Sequence, residues 1–240
     1  MAQGWTAIIW RFMRTQLPDP PARVIELGCG PQGGLVPMLR REGYHAVGVD
    51  PQAPEAPGYR RVEFERYRPP KPVHAVVASA SLHHVADLGL VLDRVAAALV
   101  PGGSLAIAEW AWERFDEPTA QWCFARLGPA AGEPGWLHQR RQEWIASGLP
   151  WDTYRQGWAA RERCHCGQSM LRELDARFDC RTCTRVPYFF HDLADTTEAA
   201  EQAAIGSAAI KATGIRYAAV PRRTTVTQDR PGLAANRSVR

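Results

Sequence analysis

Between Val24 and Asp50 the chain reads VIELGCGPQGGLVPMLRREGYHAVGVD: an apolar run, a glycine-rich hinge, a helical stretch, a second apolar run and a terminal carboxylate. Val24, Ile25 and Leu27 suit a short strand buried on both faces. Gly28, Gly30, Gly33 and Gly34 then let the backbone turn sharply and come close to a ligand. Asp50 follows Gly28 by 22 residues, near the ~20-residue offset at which an acidic side chain on the second strand tip accepts hydrogen bonds from ribose hydroxyls. The segment therefore predicts a ribose-bearing cofactor. Gly28-Cys29-Gly30-Pro31-Gln32-Gly33 also satisfies the G-x-G-x-x-G spacing of dinucleotide enzymes, and a bare glycine turn without ligand meets the same pattern.

The remainder of the chain fits one compact domain. Its 240 residues carry no internal repeat and no Ser/Gly linker. Periodicity predicts a helix over residues 5–16, closed by Pro18, Pro20 and Pro21, then strands near 23–27, 45–49, 60–64, 73–79 and 104–109. Helices fall near 34–42 and 86–99. In the latter, Leu88, Leu92, Val95 and Leu99 make one apolar stripe that Pro101-Gly102-Gly103 ends. Strands alternating with helices imply a parallel sheet covered on both faces. In such sheets ligands sit beyond the carboxyl ends of the strands.

Composition narrows the partners. No apolar run approaches the ~18–20 residues that span a bilayer, and the first residues lack a basic-apolar-small secretion pattern, so a cytoplasmic protein is the expectation. The formal charge of +4 resides in residues 221–240, which hold five Arg against one Asp. That polar stretch reads as a disordered basic tail, leaving 1–220 as the domain. No basic stripe with interleaved aromatics occurs in the folded part, which makes nucleic acid an unlikely partner and a small molecule the expected one.

Three further segments give the hinge a context: Glu26 just before the first glycine, ASASLHHV at 78–85, and VPGGSLAIAE at 100–109. Together they resemble the class I S-adenosylmethionine-dependent methyltransferases, most nearly the bacterial small-molecule type. GIRYAAV, near residue 220, looks like that fold's closing strand. The resemblance implies an α/β, Rossmann-like, doubly wound and mostly parallel sheet of about seven strands with an antiparallel closing strand. Its cofactor would be S-adenosyl-L-methionine, bound by Glu26, Gly28, Cys29, Gly30, Asp50, Pro51, Glu63, Phe64, Ala78 and Ser79. In that scheme the glycine backbone takes the methionine part, Asp50 the ribose, Glu63 and Phe64 the adenine, and Ala78 and Ser79 the sulfonium side. Glu65 rivals Glu63 in RVEFERYRPP, and His74 stands where such enzymes often begin strand four with Asp.

A sulfonium methyl is already electrophilic, so the protein must align the acceptor and, for a hydroxyl or amine, remove a proton. His83 and His84 are the candidate general bases, because imidazole titrates near neutrality; the competing reading makes them helix-start packing residues. Residues 110–158 hold seven of the nine tryptophans. Trp110 and Trp112, directly after the fifth strand, are candidates to wall an aromatic acceptor pocket, and the others to pack the core or a lid. Glu109 either hydrogen-bonds substrate or is a charged strand end. Residues 110–185 as a whole read as a helical lid and substrate region carrying a cysteine cluster.

Within that region Cys164, Cys166, Cys180 and Cys183 form a C-x-C and C-x2-C pair. Four thiolates could enclose a structural zinc; ordinary thiols and a redox disulfide are the other readings, and no metal ligand is assigned. Cys29 and Cys123 are isolated thiols suited to burial.

Three functions stay open at this point. The first is a methyltransferase moving a methyl group to oxygen, nitrogen or carbon of a small, partly aromatic metabolite. The second is an NAD(P)-dependent oxidoreductase, since Tyr67 and Lys71 have Y-x-x-x-K spacing, although two intervening prolines keep them off one helical face. The third is a catalytically silent S-adenosylmethionine-binding module.

Overall fold

The structure, a computed structural model, describes residues 5–129 and 134–222. In chain order the elements are α1 (Trp5–Gln16), β1 (Arg23–Leu27), α2 (Val36–Arg41), β2 (His45–Val49), β3 (Tyr59–Arg60), β4 (Val73–Ser79), α3 (Leu88–Ala98) and β5 (Leu99–Trp110). There follow α4 (Glu117–Phe124), α5 (Trp136–Ser147), α6 (Trp151–Arg161), α7 (Gly167–Arg177), β6 (Phe178–Val186), α8 (Glu198–Gly206) and β7 (Gly214–Pro221).

The strands form one seven-stranded sheet in the order β3-β2-β1-β4-β5-β7-β6. The first five run parallel, while β7 is antiparallel to both β5 and β6. Strand order reverses between β1 and β4, and at such a switch point the carboxyl ends of neighbouring strands open a crevice. The central strands are apolar on both sides because both are covered. Ile25, Val76, Leu92, Val95, Met170 and Leu174 share one core with α3 and α7. Val24 and Val77, from the same strands, face Ile9, Met13, Leu35 and Leu39 of α1, α2 and the loop before α2. Each such aliphatic side chain contributes roughly 1.5–3 kcal/mol by leaving water.

Local chemistry sets the helix ends. Asp87, in extended backbone, accepts a hydrogen bond from Leu90 N at 2.9 Å and starts α3. Asp116 caps α4 through Thr119 N, and Thr197 caps α8 through Ala200 N.

Several elements depart from the sequence expectation. The strand expected over 60–64 contains only Tyr59–Arg60, because it pairs with β2 alone and has no second neighbour to extend against. Glu63 and Phe64 lie instead in a turn, their carbonyls accepting from Arg66 N and Tyr67 N. The fifth strand begins at Leu99 rather than 104, and its register against β4 is irregular between Val73 and Ala75, where Pro101-Gly102-Gly103 intervenes. The helical lid expected over 110–185 ends at Arg177, and Phe178–Val186 is the outer strand of the sheet. The sheet thus closes with two antiparallel strands rather than one. Of the expected basic tail, Pro221 ends β7 and Arg222 follows it; the rest lies outside the described residues. Among the described residues, no helix is long and apolar enough to cross a membrane.

Candidate active site

A cavity of about 510 Å³ opens at the carboxyl ends of β1, β2 and β4. Gly28 leaves β1 with φ +75° and its N–H donates to Val49 O at 2.9 Å, which locks the hinge onto β2. Any Cβ there would overlap Ser81 Cβ, so the approach of hinge to β4 requires glycine. Gly30, at φ +62°, has no heavy atom within 4 Å of where a Cβ would stand, and its backbone is open to a ligand. Its N–H donates to Asp50 Oδ2 at 3.0 Å, while Asp50 Oδ1 accepts from Gln52 N at 2.6 Å. Asp50 therefore ties the glycine turn to the tip of β2 and keeps a further lone pair on each oxygen.

Of the residues expected to hold the cofactor, Gly28, Gly30, Asp50, Pro51, Glu63 and Phe64 line this cavity, together with Glu65. Four lie elsewhere. The Glu26 carboxylate turns away from the cavity and accepts from Leu35 N at 2.9 and 2.8 Å and from Val36 N at 3.1 Å, satisfying N–H groups at the entry to α2. Burial pushes its pKa up to about 7 against the opposing pull of those N–H groups. Cys29 is buried, with its sulfur beside Gly48, and burial pushes the thiol up to about 12. Ala78 sits in the core. Ser79 accepts a hydrogen bond from Trp5 Nε1 at 2.7 Å beneath α1. The contribution from this part of the chain comes instead from Ala80 and Ser81, the two residues that follow β4. Ala80 holds φ +48°, an uncommon conformation for a residue with a Cβ. His74, the departure from the family pattern, accepts from Arg23 N at 3.0 Å and so ties β4 to the start of β1.

A second cavity, of about 450 Å³, adjoins the first. Its walls are Trp110, Trp136, Trp158, Tyr188 and Phe189, with His83 and Arg140. The two cavities have Ala80 and His84 in common. Trp110 lines the second cavity and Trp112 does not; the indole of Trp112 instead lies under the Arg155 guanidinium, 5.7 Å from ring centroid to Cζ.

Glu109, expected either to hydrogen-bond substrate or to be a charged strand end, lines neither the first nor the second cavity. Only 2% exposed, its Oε1 accepts from Ser81 N at 2.6 Å and Leu82 N at 2.5 Å, and its Oε2 from Trp110 N at 3.1 Å. Oε2 also lies 2.7 Å from His83 Nδ1. Burial works against ionisation of Glu109, but the His83 charge and hydrogen bond, with the backbone N–H groups, hold its carboxyl below the usual range. Since a carboxylate only accepts, Nδ1 is the ring nitrogen that donates to Glu109. The His84 ring lies 4.1 Å from that of His83, and burial followed by the neighbouring imidazole pushes its pKa down.

Trp136, Arg140, Trp158, Tyr188 and Phe189 were not singled out from the sequence as pocket residues. The one signal was the aromatic run at 188–190, which follows Pro187 and an alternation of Thr182, Thr184 and Val186. Register brings it to the site: β6 runs parallel to β5 because both are antiparallel to β7, and Val186 and Trp110 both pair with Gly214.

The cysteines spread over distinct elements, with Cys164 after α6, Cys166 capping α7, and Cys180 and Cys183 on β6. Among the described residues no group of three or more His, Cys, Asp or Glu side chains gathers to hold a metal ion. Tyr67 and Lys71 line a separate groove with Arg23 and His45, at the amino ends of β1 and β2, away from the glycine turn. The nicotinamide reading thus loses its catalytic pair.

Comparison with known proteins agrees with this geometry. Residues 2–145 match the sequence model of a family described as methyltransferase domain. The ubiquinone biosynthesis O-methyltransferase of Nitrobacter winogradskyi is 30% identical over 137 residues, covering 51% of this chain and 49% of that protein. Trans-aconitate 2-methyltransferase of Rhodopseudomonas palustris is 30% identical over 140 residues, covering 54% and 52%. The chain spans about half the length of these curated relatives. An S-adenosylmethionine-dependent methyltransferase structure from Mesorhizobium loti has the same fold, with a TM-score of 0.51 over 91% of this chain and 99% of that one at 20% identity.

Proposed function

This chain belongs to the methyltransferase-domain family, within the class I S-adenosylmethionine-dependent methyltransferases, and from that premise we propose that it methylates an oxygen, nitrogen or carbon of a small, partly aromatic metabolite. The observation that carries this reading is the pair of cavities meeting at Ala80 and His84, one built on a glycine turn with Asp50 and the other walled by indoles. A methyl donor and an acceptor bound in those cavities would meet at that junction.

Bound there, S-adenosylmethionine supplies an electrophilic sulfonium methyl. The open backbone at Gly30 and the spare lone pairs of Asp50 suit its methionine and ribose parts, and Glu63, Phe64 and Glu65 border the remaining end of the cavity. The work of the chain is then to position the acceptor and to manage one proton. Transfer to the acceptor would leave the donor's sulfur as a neutral thioether, so the chain would have no leaving-group charge to stabilise. A hydroxyl or amine acceptor also releases a proton. His83 is suited to receive it at Nε2, because Glu109 holds the opposite ring nitrogen as donor and stabilises the resulting imidazolium. In this reading Glu26, Glu109 and Ser79 organise the site from behind.

The test is calorimetric titration with S-adenosylhomocysteine, followed by a screen of aromatic acceptors for production of that compound from S-adenosylmethionine. Binding with turnover on a planar metabolite is the expected result. Binding without turnover across a broad panel would favour the silent module, and no binding of either nucleoside would end the assignment.

A further inference from the structure

We propose that the second cavity selects a planar acceptor bearing an anionic oxygen group, a carboxylate above all, and that Arg140 is the residue that selects it. This deepens the functional reading above and rests on it.

The cavity is walled by two near-parallel ring pairs that stand almost perpendicular to each other, Trp110 to Trp136 at 83° and Tyr188 to Phe189 at 87°. Trp110 and Tyr188 lie 6.1 Å apart with their planes at 16°, and Trp136 and Phe189 lie 6.3 Å apart at 12°. Trp158 closes a further side, 5.7 Å from Trp110 and 5.6 Å from Trp136. Rings held in this way by packing offer π faces to a planar guest at little entropic cost. The wall is held from behind by Glu201, only 1% exposed, which accepts from Tyr188 N at 2.8 Å and Phe190 N at 2.7 Å.

The polar groups of this wall are mainly donors. The Arg140 side chain is 13% exposed and lies against two of the indoles, with Cζ 5.8 Å from the Trp136 centroid and 5.7 Å from that of Trp158. One of its nitrogens, Nη2, is engaged by Glu143 at 2.7 Å, and Glu143 is itself held by Tyr154 OH at 2.9 Å. Glu143 engages Nη2 alone, so the guanidinium keeps further N–H donors at the cavity lining; Arg140 Nε and Trp110 Nε1 have no partner among the described residues but are closed off from solvent. Burial keeps the Tyr188 phenol protonated, which makes it another donor. A ligand oxygen carrying negative charge is the group best matched to the Arg140 guanidinium and the Tyr188 hydroxyl on this lining. The other charged groups on the lining are the carboxyl groups of Glu162, which is exposed, and Asp192, whose pKa burial pushes up. His83 and His84 occupy the side next to the first cavity, so an acceptor anchored on Arg140 would direct its other end toward the methyl donor.

The experiment uses the full chain and three probes that share one ring system: 2-naphthoic acid, 2-naphthamide and 2-naphthylmethylamine. Each is titrated calorimetrically into protein that has first been titrated with S-adenosylhomocysteine. The acid is expected to bind at least about 10-fold more tightly than the amide, as a charge-assisted hydrogen bond implies. In Arg140→Gln that preference should vanish through loss of acid affinity, with amide and S-adenosylhomocysteine affinities changing less than about 3-fold; Arg140→Lys should retain part of it. Equal affinity for acid and amide, preference for the amine, or no binding of any probe to S-adenosylhomocysteine-loaded protein would each overturn the inference while leaving the methyltransferase reading intact. Failure of S-adenosylhomocysteine itself to bind would instead remove both. Because the comparison of probes is made on the wild-type chain, a misfolded variant does not protect the idea.

Discussion

Glu109 Oε2 stands 2.7 Å from His83 Nδ1, inside a pocket of backbone N–H groups contributed by Ser81, Leu82 and Trp110. The carboxylate comes from the end of β5 and the imidazole from the turn after β4, strands that are neighbours in the sheet. An acidic residue at a strand tip is thereby turned from a surface group into one that fixes the tautomer and orientation of a histidine.

If His83 is the base, His83→Ala should lower turnover by roughly 10²–10⁴ while S-adenosylhomocysteine affinity stays within about 3-fold. Glu109→Gln should lower turnover by about 10² and shift the pH dependence of kcat, since the amide fixes the imidazole without stabilising its cation. Steady-state rates across pH check both. Unchanged turnover in His83→Ala and in His84→Ala would remove the proton-transfer role.

Asp50 bonds to Gly30 N and Gln52 N, so Asp50→Ala both frees the glycine turn and removes the acceptors offered to a ribose. The affinity for S-adenosylhomocysteine should fall by roughly 10–100-fold, the effect of losing charge-assisted hydrogen bonds. Calorimetry measures it directly, and an unaltered dissociation constant would place the ribose elsewhere.

Gly28→Ala should abolish cofactor binding and lower the melting temperature, because a Cβ collides with Ser81 and the φ of +75° is strained for alanine by about 1–2 kcal/mol. Ser81→Gly in the same chain removes the collision but not the strain. The double variant should therefore recover part of the stability, and a thermal melt that shows additive losses would contradict the close approach.

Burial places the Glu26 pKa near 7, above its ordinary 4.5. A carboxyl whose pKa is raised in the folded state favours folding fully below the unfolded value, and that contribution is lost as pH rises through the folded value. Between about pH 4.5 and 7 the native state thus loses on the order of 3 kcal/mol relative to a chain lacking this group. Denaturant unfolding of wild type and Glu26→Gln across that window should show the stability difference moving in favour of the glutamine variant as pH rises. A difference independent of pH would mean that Glu26 titrates normally.

Much of the half around the glycine turn was legible in the chain because its determinants are local. Residues 5–16, 23–27, 45–49 and 73–79 read as elements and form α1, β1, β2 and β4 at those limits. Their apolar periods are short and are bounded by Pro, Gly or charge. Spacing also brought Gly28, Gly30 and Asp50 to one cavity, since a strand, a helix and a strand of these lengths leave little choice of path. Glu26, Cys29, Ala78 and Ser79 belong to the same segments but miss the cavity, because which way a side chain points at the end of a strand depends on what packs behind it.

The aromatic cavity had no such local code. Arg140 on α5, Tyr188 after β6 and Trp110 on β5 meet only because an antiparallel pair carries β6 back alongside β5 and the helices fold over the strand ends. Periodicity and spacing, acting over a few turns of chain, determined the sheet and the glycine cradle. The orientation of Glu109 and the composition of the aromatic cavity arise from contacts between residues far apart in sequence, where burial and hydrogen-bond satisfaction choose the partners, and only the tertiary structure decided them.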